Sequence, residues 1–302
     1  MKMDIFHRPI AKKREKISPL SIVIVAFLIL YSLAILILLA WAFITAFKAP
    51  NTDFLVNAAG FPKEWVLTNF ENVYNLFYIE IQTADGAAYV MLPSLFLYGF
   101  LYALGCAFFA SIVPCITSYL CAKFDYKFSK LIYLIVIVTM ILPIVGNLPA
   151  EIAMARRFGL YDQIWGVWLL KANFLGLYFI VFYNYFRSLP NAYIEAAKID
   201  GASNLRILLQ IVLPMVRPLF FTVMLINFIT FWNDYQVPLI YLESYPTIAV
   251  GMYKMAFTNI NEVSNAPARM AAAALMLIPV LIIFLAFHKK LLGNLTMGGI
   301  KG

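Results

Sequence analysis

The 302-residue sequence is poor in charge: 13% of its residues are Asp, Glu, Lys or Arg, and it holds only two His and three Cys. Disordered chains combine high charge with low hydrophobicity, and small disulfide scaffolds pack many cysteines into a short chain, so both classes are excluded. Catalytic clusters are equally thin. His7 and His288 stand at opposite ends of the chain, and Cys106, Cys115 and Cys121 have no Cys-x-x-Cys spacing, which is the pattern of buried, inert thiols. The one glycine spacing near a phosphate loop, Gly293 to Gly298, continues into Gly299 instead of Lys and leaves no room for a helix behind it. No nucleotide site or metal site is therefore expected in this chain.

What the sequence has in abundance is apolar surface: 63% hydrophobic residues, 16% aromatics and a mean hydropathy of +0.84. No soluble domain of ordinary composition approaches these values, so the chain reads as a polytopic membrane protein. A bilayer core of ~30 Å requires roughly 20 apolar residues per helical span, and charged side chains at its centre cost about 2.5 to 3.5 kcal/mol each. Long uncharged runs therefore mark the spans. They lie between Lys16 and Lys48, Asp85 and Lys123, Lys130 and Glu151, and Arg269 and Lys289; two less clean ones are Ile164 to Phe186, with Lys171 near its start, and the short Pro218 to Asn233. We expect six spans, at about 20–47, 90–122, 131–150, 164–186, 216–234 and 270–288, forming one transmembrane domain over 17–302 behind a terminal segment 1–16. The basic residues preceding the first span resemble a signal peptide, but the apolar run is twice too long for one and reads as an uncleaved span.

Lys and Arg are distributed unevenly between the two faces of this arrangement. The face holding both termini and the loops 123–130 and 187–217 collects 16 basic and 5 acidic residues, against 7 and 10 on the other. The positive-inside rule then places both termini and these loops in the cytoplasm, and 48–89, 151–163 and 234–269 outside. Because the net charge of +8 is spread over juxtamembrane loops and forms no aromatic-laced stripe, no nucleic-acid partner is expected. The spans also lack the Asp, Glu, Arg and His residues that an ion relay needs, which weighs against ion-coupled transport. Pro93, Pro114, Pro143 with Gly146 and Pro149, and Pro279 fit either unwound binding sites or the ordinary proline and glycine content of membrane helices.

The stretch from Arg187 to Pro218, RSLPNAYIEAAKIDGASNLRILLQIVLPMVRP, is too long for a simple turn. Pro190 suits a first helical position, Ala192, Ala196 and Ile199 recur at helical spacing, and Gly201 is placed to stop the helix in a left-handed conformation. Ser203 can cap a second helix, Asn204 to Val212, which the bias of the pre-proline residue Leu213 should end before Pro214. Two short helices around a glycine turn suit either docking into a groove of a soluble partner or lying amphipathically on the membrane.

The segment Glu195-Ala196-Ala197, followed by Asp200-Gly201 and by Leu213-Pro214, resembles the EAA loop of binding-protein-dependent ABC importer permeases. Further pieces resemble the carbohydrate branch of that family, in particular its maltose-type second permease. These are Phe186-Arg187-Ser188-Leu189-Pro190, Ala197 to Ser203, Trp232-Asn233-Asp234, Tyr245-Pro246-Thr247 and the closing Leu295 to Gly302. The likeness runs over nearly the whole chain and departs at Ile79 to Tyr89, which looks like a small insertion. It implies an all-α, six-span, type I ABC importer permease fold in the bacterial cytoplasmic membrane. It also implies a heteromeric complex with a homologous sister permease, an ABC ATPase dimer that binds ATP and Mg, and an extracytoplasmic sugar-binding protein. On this likeness Glu195, Ala196, Ala197, Asp200, Gly201, Leu213 and Pro214 couple the chain to the ATPase, and Tyr245, Pro246 and Thr247, within 243–266, contact the binding protein.

A path for neutral sugars needs uncharged amides beside aromatic faces. The fifth span offers Asn227, Phe228, Thr230, Phe231, Trp232 and Asn233, although Trp232 equally suits an interfacial belt and Asn227 a bond between helices. The expected function is the permease subunit of an ATP-driven importer of sugars, oligosaccharides or glycosides, and not an enzyme. The alternatives are the same architecture serving another solute, such as a polyol phosphate, or an ion-coupled secondary transporter.

Overall fold

Uncharged runs of this length can satisfy their backbone groups in a bilayer only as helices or closed barrels, and the chain is helical. The computed structural model describes residues 18–83, 86–124, 126–142, 146–257, 263 and 265–295, with side chains as far as 286. The expected cytoplasmic segment 1–16, Pro143 and the closing 296–302 lie outside the described residues.

Helix α1 (Pro19–Thr45) opens with Ser18, whose hydroxyl accepts from the Ser21 amide at 3.2 Å. Its side chains are exposed all round until Trp41, as befits a helix that meets lipid or another subunit on every side. Beyond it the chain folds back over a short π-helical turn, Pro50–Phe54, and α2 (Thr68–Leu76). Lys48, fully buried, donates to the carbonyls of Asn57 (2.6 Å) and Ala58 (3.0 Å), and the Asn69 amide donates to those of Ala46 and Lys48, both at 2.8 Å. The insertion expected at 79–89 is an antiparallel hairpin of β1 (Tyr78–Thr83) and β2 (Gly86–Met91), paired from Tyr78 with Met91 to Thr83 with Gly86. Its alternation puts Ile79 and Val90 inward against the core.

Helix α3 (Leu92–Lys123) is the central element, packed against α6 (Ile164–Leu170), α7 (Leu177–Ser188) and α10 (Leu213–Trp232). Its small and hydroxylic positions Ala103, Ala107, Ser111 and Ser118 are fully buried, which is how membrane helices approach closely. Two expected spans are corrected by the structure. The third, placed at 131–150, is α4 (Lys127–Ile141), which ends at the extended Leu142, and α5 (Leu148–Arg157), with 143–145 outside the described residues. The fourth, placed at 164–186, is broken into α6 and α7. There the Asn173 carboxamide oxygen accepts from the Leu175 amide at 3.2 Å, a side-chain bond that competes with helix continuation.

After α7 come α8 (Ala192–Ile199) and α9 (Asn204–Ile207), then α10, α11 (Gln236–Tyr241), α12 (Ile248–Phe257) and α13 (Ala266–Leu295). Pro190 does not open α8; Asn191 is its cap and Ala192 its first residue. Nor does the second short helix end before Pro214. The backbone widens to a π-helical turn over Leu208–Val212, with the Leu213 amide reaching back to the Leu208 carbonyl, and runs on into α10. The wider turn leaves room for a proline ring that would otherwise collide with the carbonyl four residues earlier. The helix 204–232 is thus 29 residues long, about 43 Å at the α-helical rise, so its first turns stand outside a hydrocarbon layer of ~30 Å. Among the described residues four helices are long and apolar enough to cross a membrane alone: Pro19–Thr45, Leu92–Lys123, Asn204–Trp232 and Ala266–Ala286.

Candidate functional site: the 187–217 knob

The chain between α7 and α10 folds as two short helices with a defined turn. At the end of α8 the Gly201 amide donates to the Lys198 carbonyl at 3.0 Å and the Ala202 amide to the Ala197 carbonyl at 2.9 Å. These two bonds make a Schellman motif with Gly201 at its left-handed position, φ 78°. Ser203 then caps α9, its hydroxyl accepting from the Arg206 amide at 3.3 Å, while Arg206 Nε donates to Gln210 Oε1 at 2.9 Å. Helix, left-handed turn and capped helix stand as the residue pattern predicts.

The inner side of this knob is core. Ala197, Ile207, Val212 and Val216 are buried with Cys115 and Tyr119 of α3 and Phe182 and Phe186 of α7. Two polar ties fasten its root. Lys123 Nζ, from the end of α3, donates to the Leu189 carbonyl at 2.6 Å and to Asn191 Oδ1 at 2.8 Å, and the Tyr185 hydroxyl donates to the Met215 carbonyl at 2.6 Å. Lys123 was legible in the sequence only as a charge bounding a span; its role as the tie to the knob depends on a contact 66 residues away in the chain.

The outer side is exposed and mixed, with large apolar side chains among Glu195, Lys198, Asp200 and Arg206. Ile199 is 86% exposed and Leu205 65%, beside Tyr193 and Leu209, with Glu195, Ala196, Asp200 and Gly201 open to the same surroundings. Of the other expected coupling residues, Ala197 faces the core, Leu213 is half-buried, and Pro214 is exposed at the start of α10. Large apolar side chains exposed on so ordered a support mark an interaction surface. Ser203→Ala should lower the stability of the knob by about 1 kcal/mol through loss of the cap. Faster amide exchange over 204–207, with the spans unaffected, is the expected readout.

The fifth-span residues do not converge on one lining. Asn227 is buried and donates to Ser111 Oγ at 3.0 Å, joining α10 to α3. Trp232, also buried, donates to the Met276 carbonyl of α13 at 3.1 Å and stacks on Phe228. Phe231 meets the Tyr102 ring edge-to-face, and Asn233 is exposed with its amide donating to the Ile229 carbonyl at 2.8 Å. Asp234, which the sequence offers only as part of a motif, is the organiser here. One carboxylate oxygen accepts from the Tyr102 hydroxyl at 2.8 Å, and the other from the amides of Gln236 and Val237 at the start of α11.

In the 243–266 loop, Pro246 and Thr247 are buried by this chain itself, and the Thr247 hydroxyl accepts from the Val250 amide at 3.4 Å. In this conformation neither offers its side chain to an outside partner, whereas Tyr245 is half-buried with its ring edge-to-face on Tyr98. The exposed feature beside them is a cluster reaching across from α5. The Tyr161 hydroxyl donates to Glu243 Oε1 at 2.6 Å, and the Arg156 guanidinium lies 4.4 Å from the Tyr161 ring centre. Burial, then the bond to Glu243, push the Tyr161 phenol above its ordinary range, so it stays protonated and donating. Ser244 donates from its amide (2.8 Å) and hydroxyl (2.6 Å) to Asp162.

Helices long and apolar enough to cross a membrane, with an ordered, exposed knob held at one end, define a membrane-embedded subunit with a surface for a partner. The chain belongs to the family of binding-protein-dependent transport system inner membrane components, whose pattern matches residues 115–292. It is a permease subunit without enzymatic activity, an inner-membrane component of an ABC importer that works with an ATPase and a binding protein. Among curated proteins it is similar to the diacetylchitobiose uptake system permease protein NgcG of Streptomyces coelicolor, 26% identical over 90% of this chain and 86% of that one. It is also similar to two permease proteins of Bacillus subtilis. The melibiose/raffinose/stachyose import permease MelC is 29% identical over 62% of this chain and 68% of that protein, and the galactooligosaccharides permease GanQ 31% over 62% and 66%. Among solved structures, a bacterial ABC transporter involved in import of the acidic polysaccharide alginate has a chain with the same fold. Its TM-score is 0.71 at 22% identity, over 93% of this chain and 99% of that one.

Proposed function

We propose that this chain forms half of the translocation path of a sugar importer, beside a homologous sister permease, and that the 187–217 knob receives the force of ATP hydrolysis. The observation that carries the reading is the set of exposed large apolar side chains, Tyr193, Ile199, Leu205 and Leu209, on a support braced by Lys123 and the Schellman turn. Such side chains need a partner groove, and with no phosphate loop in the sequence, ATP and its Mg ion belong on the partner ATPase. Closure of the ATPase dimer displaces α8 and α9, and because these share a core with α3, α7 and α10, the spans tilt as a body. Glu195, on the exposed side of α8, makes a polar contact at the rim of the groove.

Oligosaccharides are the proposed cargo, an assignment supported by the substrates in the names of the diacetylchitobiose and melibiose/raffinose/stachyose permeases. On this reading Phe231 and Asn233 are the fifth-span residues placed to meet cargo, whereas Asn227 and Trp232 hold helices together. Both termini and the knob lie in the cytoplasm, and the exposed flank of 243–266 around Glu243 meets the binding protein. Purification of the tagged chain from its own host in mild detergent should recover a second permease, an ATPase and a binding protein carrying a sugar. Recovery of the chain alone, transporting in liposomes without ATP, would overturn the proposal in favour of a secondary transporter.

A further inference from the structure

The ends of α3, α4 and α7 enclose a pocket of about 450 Å³ beside the root of the knob. Three cations line it, Lys123, Lys130 and Arg187, together with Ser129, Tyr133 and Asn191. Among the described residues no carboxylate lines it, and Asp125, the acid nearest in sequence, lies outside them. Two N–H groups of the Lys123 ammonium are taken by the Leu189 carbonyl and Asn191, leaving one. Lys130 and Arg187 are exposed. Three like charges around one concavity repel one another unless an anion is shared between them.

The surface next to the pocket gives the anion its second property. Along α4, Leu134 follows Lys130 by one turn, and Leu131, Leu134 and Val138 are exposed on one side of the helix, an apolar strip leading away from Lys130, with exposed Tyr126 just ahead of the helix. Aromatic residues at such a border mark the height of the lipid headgroups. A ligand that satisfies both surfaces has an anionic head and long apolar tails. We propose that this pocket binds the phosphodiester headgroup of an anionic phospholipid whose acyl chains lie along α4. Free phosphate shares the head chemistry but has nothing to place on the strip. Because Lys123 also holds the segment leading into α8, the bound headgroup braces the root of the knob.

The test is native mass spectrometry of the complex, purified with its partner subunits, after addition of phosphatidylglycerol, phosphatidylcholine or inorganic phosphate. The wild type should retain phosphatidylglycerol preferentially. The double variant Lys130→Gln with Arg187→Gln should retain it on the order of ten- to thirty-fold less, at an unchanged melting temperature. Lys130→Gln alone should give an intermediate loss, and Lys130→Arg should retain the lipid as the wild type does. Equal retention of the two lipids, undiminished phosphatidylglycerol in the double variant, or displacement of the lipid by millimolar inorganic phosphate would each overturn the proposal; the last would assign a free-anion site instead. The readout does not depend on which solute is carried.

Discussion

Gly201→Val is expected to abolish uptake while leaving the spans inserted and the chain at normal abundance. Gly201 has φ 78° and closes the Schellman turn between α8 and α9. A Cβ there would meet nothing within 4 Å, so crowding is not the cause. The cost is conformational: an L-residue in the left-handed region is strained by about 1–2 kcal/mol, and a β-branched one by more. The turn can relieve that strain only by unwinding the last turn of α8 or re-aiming α9. Either shift moves Glu195, Ile199 and Leu205 out of register with whatever groove receives them. Gly201→Asn is the matched control, because Asn tolerates the left-handed region and should keep most of the transport. ATPase activity of the purified complex, measured with and without the binding protein, reads the coupling directly: the Val variant should lose its stimulation. Stimulation and uptake at wild-type levels would show that the turn is not part of force transmission.

Gly166→Ala is expected to be the most destabilising single methyl addition on the face opposite the knob. The new Cβ would stand 2.2 Å from the Leu160 carbonyl oxygen and 2.8 Å from its carbonyl carbon, and these are backbone atoms that cannot swing aside. Separating α6 from the Leu160 turn disturbs everything that turn carries. Tyr161 reaches Glu243, and Asp162, itself at φ 55°, accepts the amide and hydroxyl of Ser244. Overpacking of this kind costs about 1–3 kcal/mol, and the lost ties between 161–162 and 243–244 add to it. Thermal unfolding of the detergent-solubilised complex should show a clear drop in melting temperature, whereas Trp165→Ala, at a half-exposed neighbour, should show a small one. If the two variants melt alike, the close approach at Gly166 does not hold α6 in place.

The knob was legible because its determinants are local. Gly201, Ser203 and the spacing of Leu205, Leu208 and Val212 act within a few residues, so the turn and the cap follow from the chain itself. Boundaries depending on longer contacts were not legible. The stop expected at Pro214 failed because a π-helical turn absorbs the proline, a widening held in place by packing of Val212 and Val216 against α3 and α7. The fourth span was expected whole because Lys171 alone breaks its uncharged run, yet Asn173 interrupts it. Pro246 and Thr247 carry a family likeness but lie inside the fold, with the Cβ position of Gly99 on α3 only 3.7 Å from the Thr247 side chain.

Composition and charge distribution by themselves determined that this is a polytopic helical membrane protein and that one set of loops carries the basic charge, because the bilayer penalises every unpaired polar group at once. Local spacing likewise determined the helix, turn and helix of the 187–217 knob. Tertiary structure alone decided which residues of that loop face outward and which of the fifth-span residues are buried. It also brought Lys123, Lys130 and Arg187 around one pocket. The physical reason is that burial and pairing are properties of neighbours distant in sequence: Lys123 meets Leu189, Asn227 meets Ser111 and Tyr102 meets Asp234 only after the helices have packed.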